Sequence, residues 1–146
     1  MSASVAFGGG IFIADSSVWP RSGHPRVRDD WASALRAGQV ATCSVVRLEL
    51  LYSARDLASF DAIARSVLAL RDIPVTVAVQ RAAVAAMREL AATAPLHHRV
   101  PLPDLLIAAA AQEAGVGVLH YDRHYDRLAQ VLGFKSRWLA PAGELT

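Results

Sequence analysis

Apolar side chains recur along this chain in two rhythms. Short unbroken runs, the pattern of strands buried on both faces, alternate with stretches where they return every third or fourth position, the pattern of amphipathic helices. After Gly8–Gly10, the run IFIAD (Ile11–Asp15) is predicted to be a buried strand that ends on a carboxylate. Pro25–Ala37 carries Val27, Trp31, Ala34 and Leu35 at helical spacing and is closed by Gly38. Gln39–Ser44 is a second strand. Val45–Ala54 follows as a helix with Ser44 as its N-cap and an apolar set that includes Leu48, Leu51 and Tyr52. Asp56–Leu70 is a further amphipathic helix on Leu57, Phe60, Ile63, Ala64 and Val67.

The second half repeats the alternation. IPVTV (Ile73–Val77) is a short extended piece, and Val77–Ala92 is an Ala-rich helix that ends before Pro95. A loop broken by Pro95, Pro101 and Pro103 leads to the helix Asp104–Gly115. Val116–Asp122 is another strand, Arg123–Gly133 a helix, and KSRWLAP a last short strand. Alternating strands and helices predict an α/β fold: a three-layer α/β/α sandwich around a central, mostly parallel sheet. The domain is expected to run from residue 11 to 141, with residues 1–10 a flexible N-terminal extension and 142–146 a C-terminal tail. The only internal echo is Tyr121-Asp122-Arg123 followed by Tyr125-Asp126-Arg127.

Composition narrows the setting. With 53% apolar and 19% charged residues in 146, a packed core is available and long disorder is not expected. No apolar run approaches the roughly 20 residues of a membrane span, and the first ten residues do not read as a signal peptide. Cys43, the sole cysteine, permits no intrachain disulfide, sits in an apolar run, and suits a cytoplasmic protein.

Four acids stand where acids are costly. Asp15 and Asp122 close strands; Glu49 lies among Leu48, Leu50 and Leu51; Asp104 follows Pro103 at the head of an apolar helix. Each alone has a plainer account as a cap, a dipole partner or a solvated charge. Taken together, they converge at the carboxyl ends of strands, where α/β sheets place their ligands. Four carboxylates there would repel one another unless a divalent cation stood between them, and oxygen ligands suit Mg²⁺ or Mn²⁺. Without a nucleophile motif beside them, such a cluster points to metal-assisted phosphodiester hydrolysis.

These residues resemble a known family, the PIN-domain ribonucleases, and within it the VapC toxins of toxin–antitoxin pairs. IFIADSSVW is similar to the family's opening strand and places Asp15 at the first acidic position, with Ser17 as the supporting hydroxyl. TCSVVRLELLYSAR is similar to the second motif and gives Glu49; PLPDLLIAAAAQEAG resembles the third and gives Asp104. VLHYDRHYDRLAQ resembles the fourth and gives Asp122, with Tyr125 where Phe is usual. Asp126, one helical turn on, is either a supporting residue or a favourable charge in the first turn. The resemblance implies an endoribonuclease needing Mg²⁺ (Mn²⁺ may substitute), usually a homodimer, held in check by a VapB-type antitoxin. That antitoxin wraps the toxin and sends a basic side chain toward the acidic pocket.

Charge fits an RNA substrate. Setting the four acids aside leaves 9 of the 13 against 15 basic side chains, an excess of six, and Lys135 is the only lysine. Arg99, His98 and Arg123 are candidate RNA contacts, and Arg21, Arg26 and His97 are further rim residues. Competing readings are another metal-dependent nuclease or phosphatase on a similar fold, a non-catalytic PIN-like binding domain, and a phosphoacceptor receiver domain. The receiver needs a lysine after its last core strand, whereas Lys135 precedes the last apolar piece. A zinc site on His120, Asp122 and His124 would need His124 to stay on the strand face, and the chain is expected to turn it away after Asp122.

Overall fold

Five parallel strands form one sheet in the order β3-β2-β1-β4-β5. They are β1 (Phe12–Ala14), β2 (Val40–Cys43), β3 (Arg71–Ile73), β4 (Gly117–His120) and β5 (Ser136–Trp138). The computed structural model describes residues 6–145. Between the strands run α1 (Arg28–Arg36), α2 (Ser44–Tyr52), α3 (Leu57–Leu68), α4 (Val77–Thr93), α5 (Leu102–Ala114) and α6 (His124–Leu128). The sheet is wholly parallel, as βαβ connections require.

Alternation along the strands builds the layers. Ile13, Ala41 and Val118 turn to the face covered by α4, α5 and α6; Phe12, Ala14, Val40 and Leu119 turn to the face covered by α1. The central helix is α5, where Leu105, Ile107 and Ala108–Ala111 are buried, the alanines letting it lie close against sheet and neighbours. Gly115 ends α5 in a left-handed conformation (φ 69°), which costs glycine least. At Gly117 a Cβ would stand 2.9 Å from the carbonyl oxygen of Lys135, so β4 and β5 meet where only glycine fits.

Several expectations shift. Residues 6–10 and the chain after residue 141, read as extension and tail, pack on the α1 face: Ala6 and Leu145 are buried, Phe7 meets Phe12 edge-on, and Glu144 pairs with Arg26 at 2.8 Å. Residues 1–5 of the expected extension lie outside the described residues. Ser44 is the first residue of α2 rather than its cap, and no side chain caps that helix. Asp56 does cap α3, in a reciprocal capping box with Ser59. Strand β3 begins two residues before the expected extended piece, on Arg71 and Asp72, which face solvent at the sheet edge.

The α2 and α3 periodicities are helical, but much of the apolar face they describe looks outward. Leu48 is 66% exposed, Tyr52 93%, Leu57 74% and Leu68 83%. A groove of about 840 Å³ opens beside them, lined in part by Ser16, Trp19, Glu49, Tyr52, Ile63 and Val67.

Candidate metal centre

In this strand order the chain leaves β1 toward one side and β4 toward the other, so a crevice opens between their carboxyl ends. Asp15 and Asp122 stand there. The Asp15 backbone N–H donates to the Leu119 carbonyl (2.9 Å), locking the first acid to the end of β4. Ser17 completes the joint. Its hydroxyl donates to Asp15 Oδ2 (2.6 Å) and accepts the Tyr121 backbone N–H (2.9 Å), while its own N–H reaches the same oxygen at 3.1 Å.

Tyr125, fully buried on α6, aims its hydroxyl into the cluster. It donates to Asp15 Oδ1 (2.7 Å) and lies 3.5 Å from Asp104 Oδ1. Asp104, in the first turn of α5 and 7% exposed, keeps its other oxygen, Oδ2, without a hydrogen-bond partner. Asp122 Oδ1 accepts the His124 backbone N–H at 2.9 Å. Glu49, half-buried on α2, accepts the Ser16 hydroxyl at 3.2 Å.

The charges are visibly crowded. Burial first, then Asp15, Asp122 and Glu49, push the Asp104 carboxyl up to about 8. Burial and then Asp15 also raise Glu49. A buried carboxyl oxygen with no donor, on an acid whose charged neighbours hold its proton on, is the donor set of a divalent cation: hard oxygens, with repulsion that the ion would cancel. The residues therefore fit Mg²⁺ or Mn²⁺.

The other marked residues disperse. Asp126 is exposed and accepts the Trp138 indole N–H at 3.1 Å, so it ties α6 to β5. Arg21 donates to the Ser17 carbonyl and covers the Tyr121 ring, and Arg26 pairs with Glu144; both brace the fold. Arg99 and Arg123 are exposed, and among the described residues neither makes an ion pair. His98 is half-buried, with Nδ1 unpartnered. Cys43 is buried, and burial raises its thiol, which suits an inert core residue.

Two histidines lie near the acids, one where expected and one not. His120 lies within the sheet: its ring stacks on Tyr125, Nε2 meets Ser136 Oγ at 2.7 Å, and Nδ1 accepts the Asp122 N–H at 3.2 Å. Burial drives it down to about 4, so it is neutral. His124 faces inward rather than away, with Nδ1 2.6 Å from Asp122 Oδ1 and 3.6 Å from Asp104 Oδ2. Sequence reasoning missed this inward turn and the use of Tyr125's hydroxyl. The signal for the second was a polar atom at a position where Phe is usual. Lys135 stands just before β5, at the opposite end of the sheet from Asp122, which removes the receiver reading.

A parallel α/β sandwich with an acidic pocket at its strand switch defines a class, that of α/β folds whose site lies at the topological switch point of the sheet. The chain belongs to the PIN domain family, whose signature matches residues 12–131. It is 43% identical to "Ribonuclease VapC18" of Mycobacterium tuberculosis, over 92% of this chain and 99% of that protein. It is 37% identical to "Ribonuclease VapC51" of the same organism, over 92% and 96%. Among solved structures, DNA-bound VapBC from Salmonella typhimurium matches 90% of this chain and 100% of its own at TM-score 0.71 and 17% identity. Rickettsia felis VapBC2 bound to a promoter DNA fragment matches 88% and 98% at TM-score 0.69 and 13% identity. These last two likenesses are of fold.

Proposed function

We propose that this chain is an endoribonuclease dependent on Mg²⁺ or Mn²⁺ and the toxin of a type II toxin–antitoxin pair, acting on cytoplasmic RNA to stop translation and growth. The observation that carries the reading is the convergence of Asp15, Glu49, Asp104 and Asp122 on one crevice, with the buried Asp104 Oδ2 left free. Their order along the chain matches the family's four acidic motifs. The curated relatives named as VapC ribonucleases support the activity.

When bound, the cation supplies an activated water for in-line attack at phosphorus and a counter-charge for the leaving oxygen. The protein's part is to hold the ligands. Ser17 and Tyr125 each fix one oxygen of Asp15, and Tyr125 also touches Asp104. Arg99, Arg123 and His98 are the side chains proposed to meet the phosphate backbone of the RNA. Hydrolysis by this route leaves a 5′-phosphate and a 3′-hydroxyl and does not use the RNA 2′-hydroxyl.

The antitoxin reading has its own support. The apolar groove between α2 and α3 runs up to Ser16 and Glu49, so a VapB-type segment lying along it reaches the acids, where a basic side chain would take the cation's place. A homodimer is part of the same reading. The test is cleavage of purified cellular RNA with and without Mg²⁺, repeated with Asp104→Asn. Activity should vanish with EDTA and with the substitution. Cleavage that survives both, or products with 2′,3′-cyclic ends, would overturn the mechanism.

A further inference from the structure

His124 is the side chain at the crevice that the four-acid pattern does not account for. Its ring projects from the first residue of α6 back toward the cluster. Ligand atoms of Asp104, Asp122 and His124 all lie within 4.8 Å of one another. Two of the three have no hydrogen bond: Asp104 Oδ2, on a residue only 7% exposed, and His124 Nδ1, which sits close to Asp122 Oδ1 without hydrogen-bond alignment. An imidazole nitrogen and a buried carboxylate oxygen, neither satisfied by a hydrogen bond, stand with an Asp122 oxygen at the spacing one cation's ligands need.

The nitrogen changes what the site selects. Mg²⁺ takes oxygen and water and gains little from imidazole, whereas first-row transition ions gain progressively from Mn²⁺ to Co²⁺. We propose that His124 completes, with Asp104 and Asp122, a subsite that takes a first-row transition ion in preference to Mg²⁺. The proposal rests on the metal-dependent reading above and adds a nitrogen donor that strengthens this preference beyond what four carboxylates alone supply.

The test is made without RNA. Metal-free protein, His124→Asn and His124→Asp are each titrated calorimetrically with Mg²⁺, Mn²⁺ and Co²⁺, and the Mn²⁺ complexes are examined by pulsed EPR for ¹⁴N coupling. The unsubstituted protein should bind Co²⁺ and Mn²⁺ more tightly than Mg²⁺ and show the nitrogen. His124→Asn should lose about 10–100-fold in affinity for Mn²⁺ and more for Co²⁺, with little change for Mg²⁺. The ¹⁴N signal should disappear. His124→Asp, which restores a charged oxygen donor, should bind Mg²⁺ at least as well as the parent and guards against a folding defect in the first variant. Equal losses for all three ions, tighter Mg²⁺ binding in His124→Asn, or Mn²⁺ bound with no nitrogen coupling would each overturn the proposal and mark His124 as a counter-ion of Asp122. Those outcomes leave the metal-dependent reading standing. Failure of the unsubstituted protein to bind any of the ions would sink both.

Discussion

The two halves of the echo at residues 121–127 use the same three letters for opposite purposes. In the first half the aspartate goes to the pocket: Asp122 faces the acids, while Tyr121 turns to the other layer, where its hydroxyl accepts the Leu145 backbone N–H at 2.8 Å. In the second half the tyrosine goes to the pocket: Tyr125 reaches Asp15, while Asp126 stays at the surface and holds Trp138. The difference is one of backbone. Tyr121 and Asp122 follow a strand, where neighbours point to opposite sides; Tyr125 and Asp126 lie inside a helix, where each residue turns about 100° from the last. Four residues bring a side chain back to the same face only when all of them are helical, and Asp122 is not.

The comparison breaks most sharply on activity. Asp122→Asn should reduce RNA cleavage by at least roughly 10²–10³, the scale on which loss of one transition-state charge partner acts. Asp126→Asn should stay close to the parent rate, since its carboxylate serves an indole at the sheet edge. Single-turnover rates on one RNA under saturating Mg²⁺ decide it, and equal losses would mean that Asp126 reaches the pocket after all.

The tyrosines give the converse pair with a smaller effect. Tyr125→Phe restores the residue the family usually carries there and removes only the hydroxyl that spans Asp15 and Asp104. Cation affinity or activity should fall about 10-fold, as when a ligand loses the hydrogen bond that orients it. In Tyr121→Phe, affinity and rate should hold, at a stability cost of about 1 kcal/mol for the bond to Leu145. Calorimetric cation binding and thermal melts, run on both variants, separate the two effects. A loss of affinity in Tyr121→Phe would show that the Ser17–Tyr121 joint transmits to the site.

The unevenness of this segment explains what the sequence made legible. Unbroken apolar runs marked β1, β2 and β4 because central parallel strands are buried on both faces, and Asp15, Asp104 and Asp122 could be placed at a strand end or helix start from that register, with Glu49 inside a helix. Edge strand β3 has no such signature, as Arg71 and Asp72 face solvent. The periodicity of α2 and α3 showed that they are helices but not where their apolar sides point. Leu48 and Tyr52 carry the spacing of a core and stand exposed beside a groove. Within the site, acid identity and order could be read. The inward turn of His124 could not, because it depends on where strand ends and helix begins, to within one residue. Likewise the Tyr121 ring under Arg21 and the Glu144 carboxylate beside Arg26 come from distant parts of the chain, so neither arginine announced a structural role.

The smallest effect separates the two regions by sign rather than size. In metal-free protein the pocket acids strain the fold, so removing a charge there should stabilise it, whereas removing the charge that holds Trp138 should weaken it. Asp104 is held up to about 8 in the folded state against an ordinary 3.8. An acid whose pKa rises on folding favours the native state fully below the unfolded value, and that advantage is lost as pH climbs through the folded value. Metal-free protein should therefore lose stability progressively between pH 4 and 8, and added Mg²⁺ should restore it most at the upper end. Asp104→Asn should flatten this slope and raise the metal-free Tm at pH 8 by roughly 3–8 °C, the size of a gain of about 1–2 kcal/mol in a domain of this length. Asp126→Ala should lower Tm by a few degrees at every pH in that range and leave the slope unchanged, because its carboxylate is exposed and its loss costs one hydrogen bond. Melts of the three proteins across the range, with EDTA and then with Mg²⁺, measure both signs. A metal-free Tm that does not fall toward pH 8, or an Asp104→Asn variant less stable there than its parent, would mean that the acids are not in conflict and that the pocket needs no cation to be quiet.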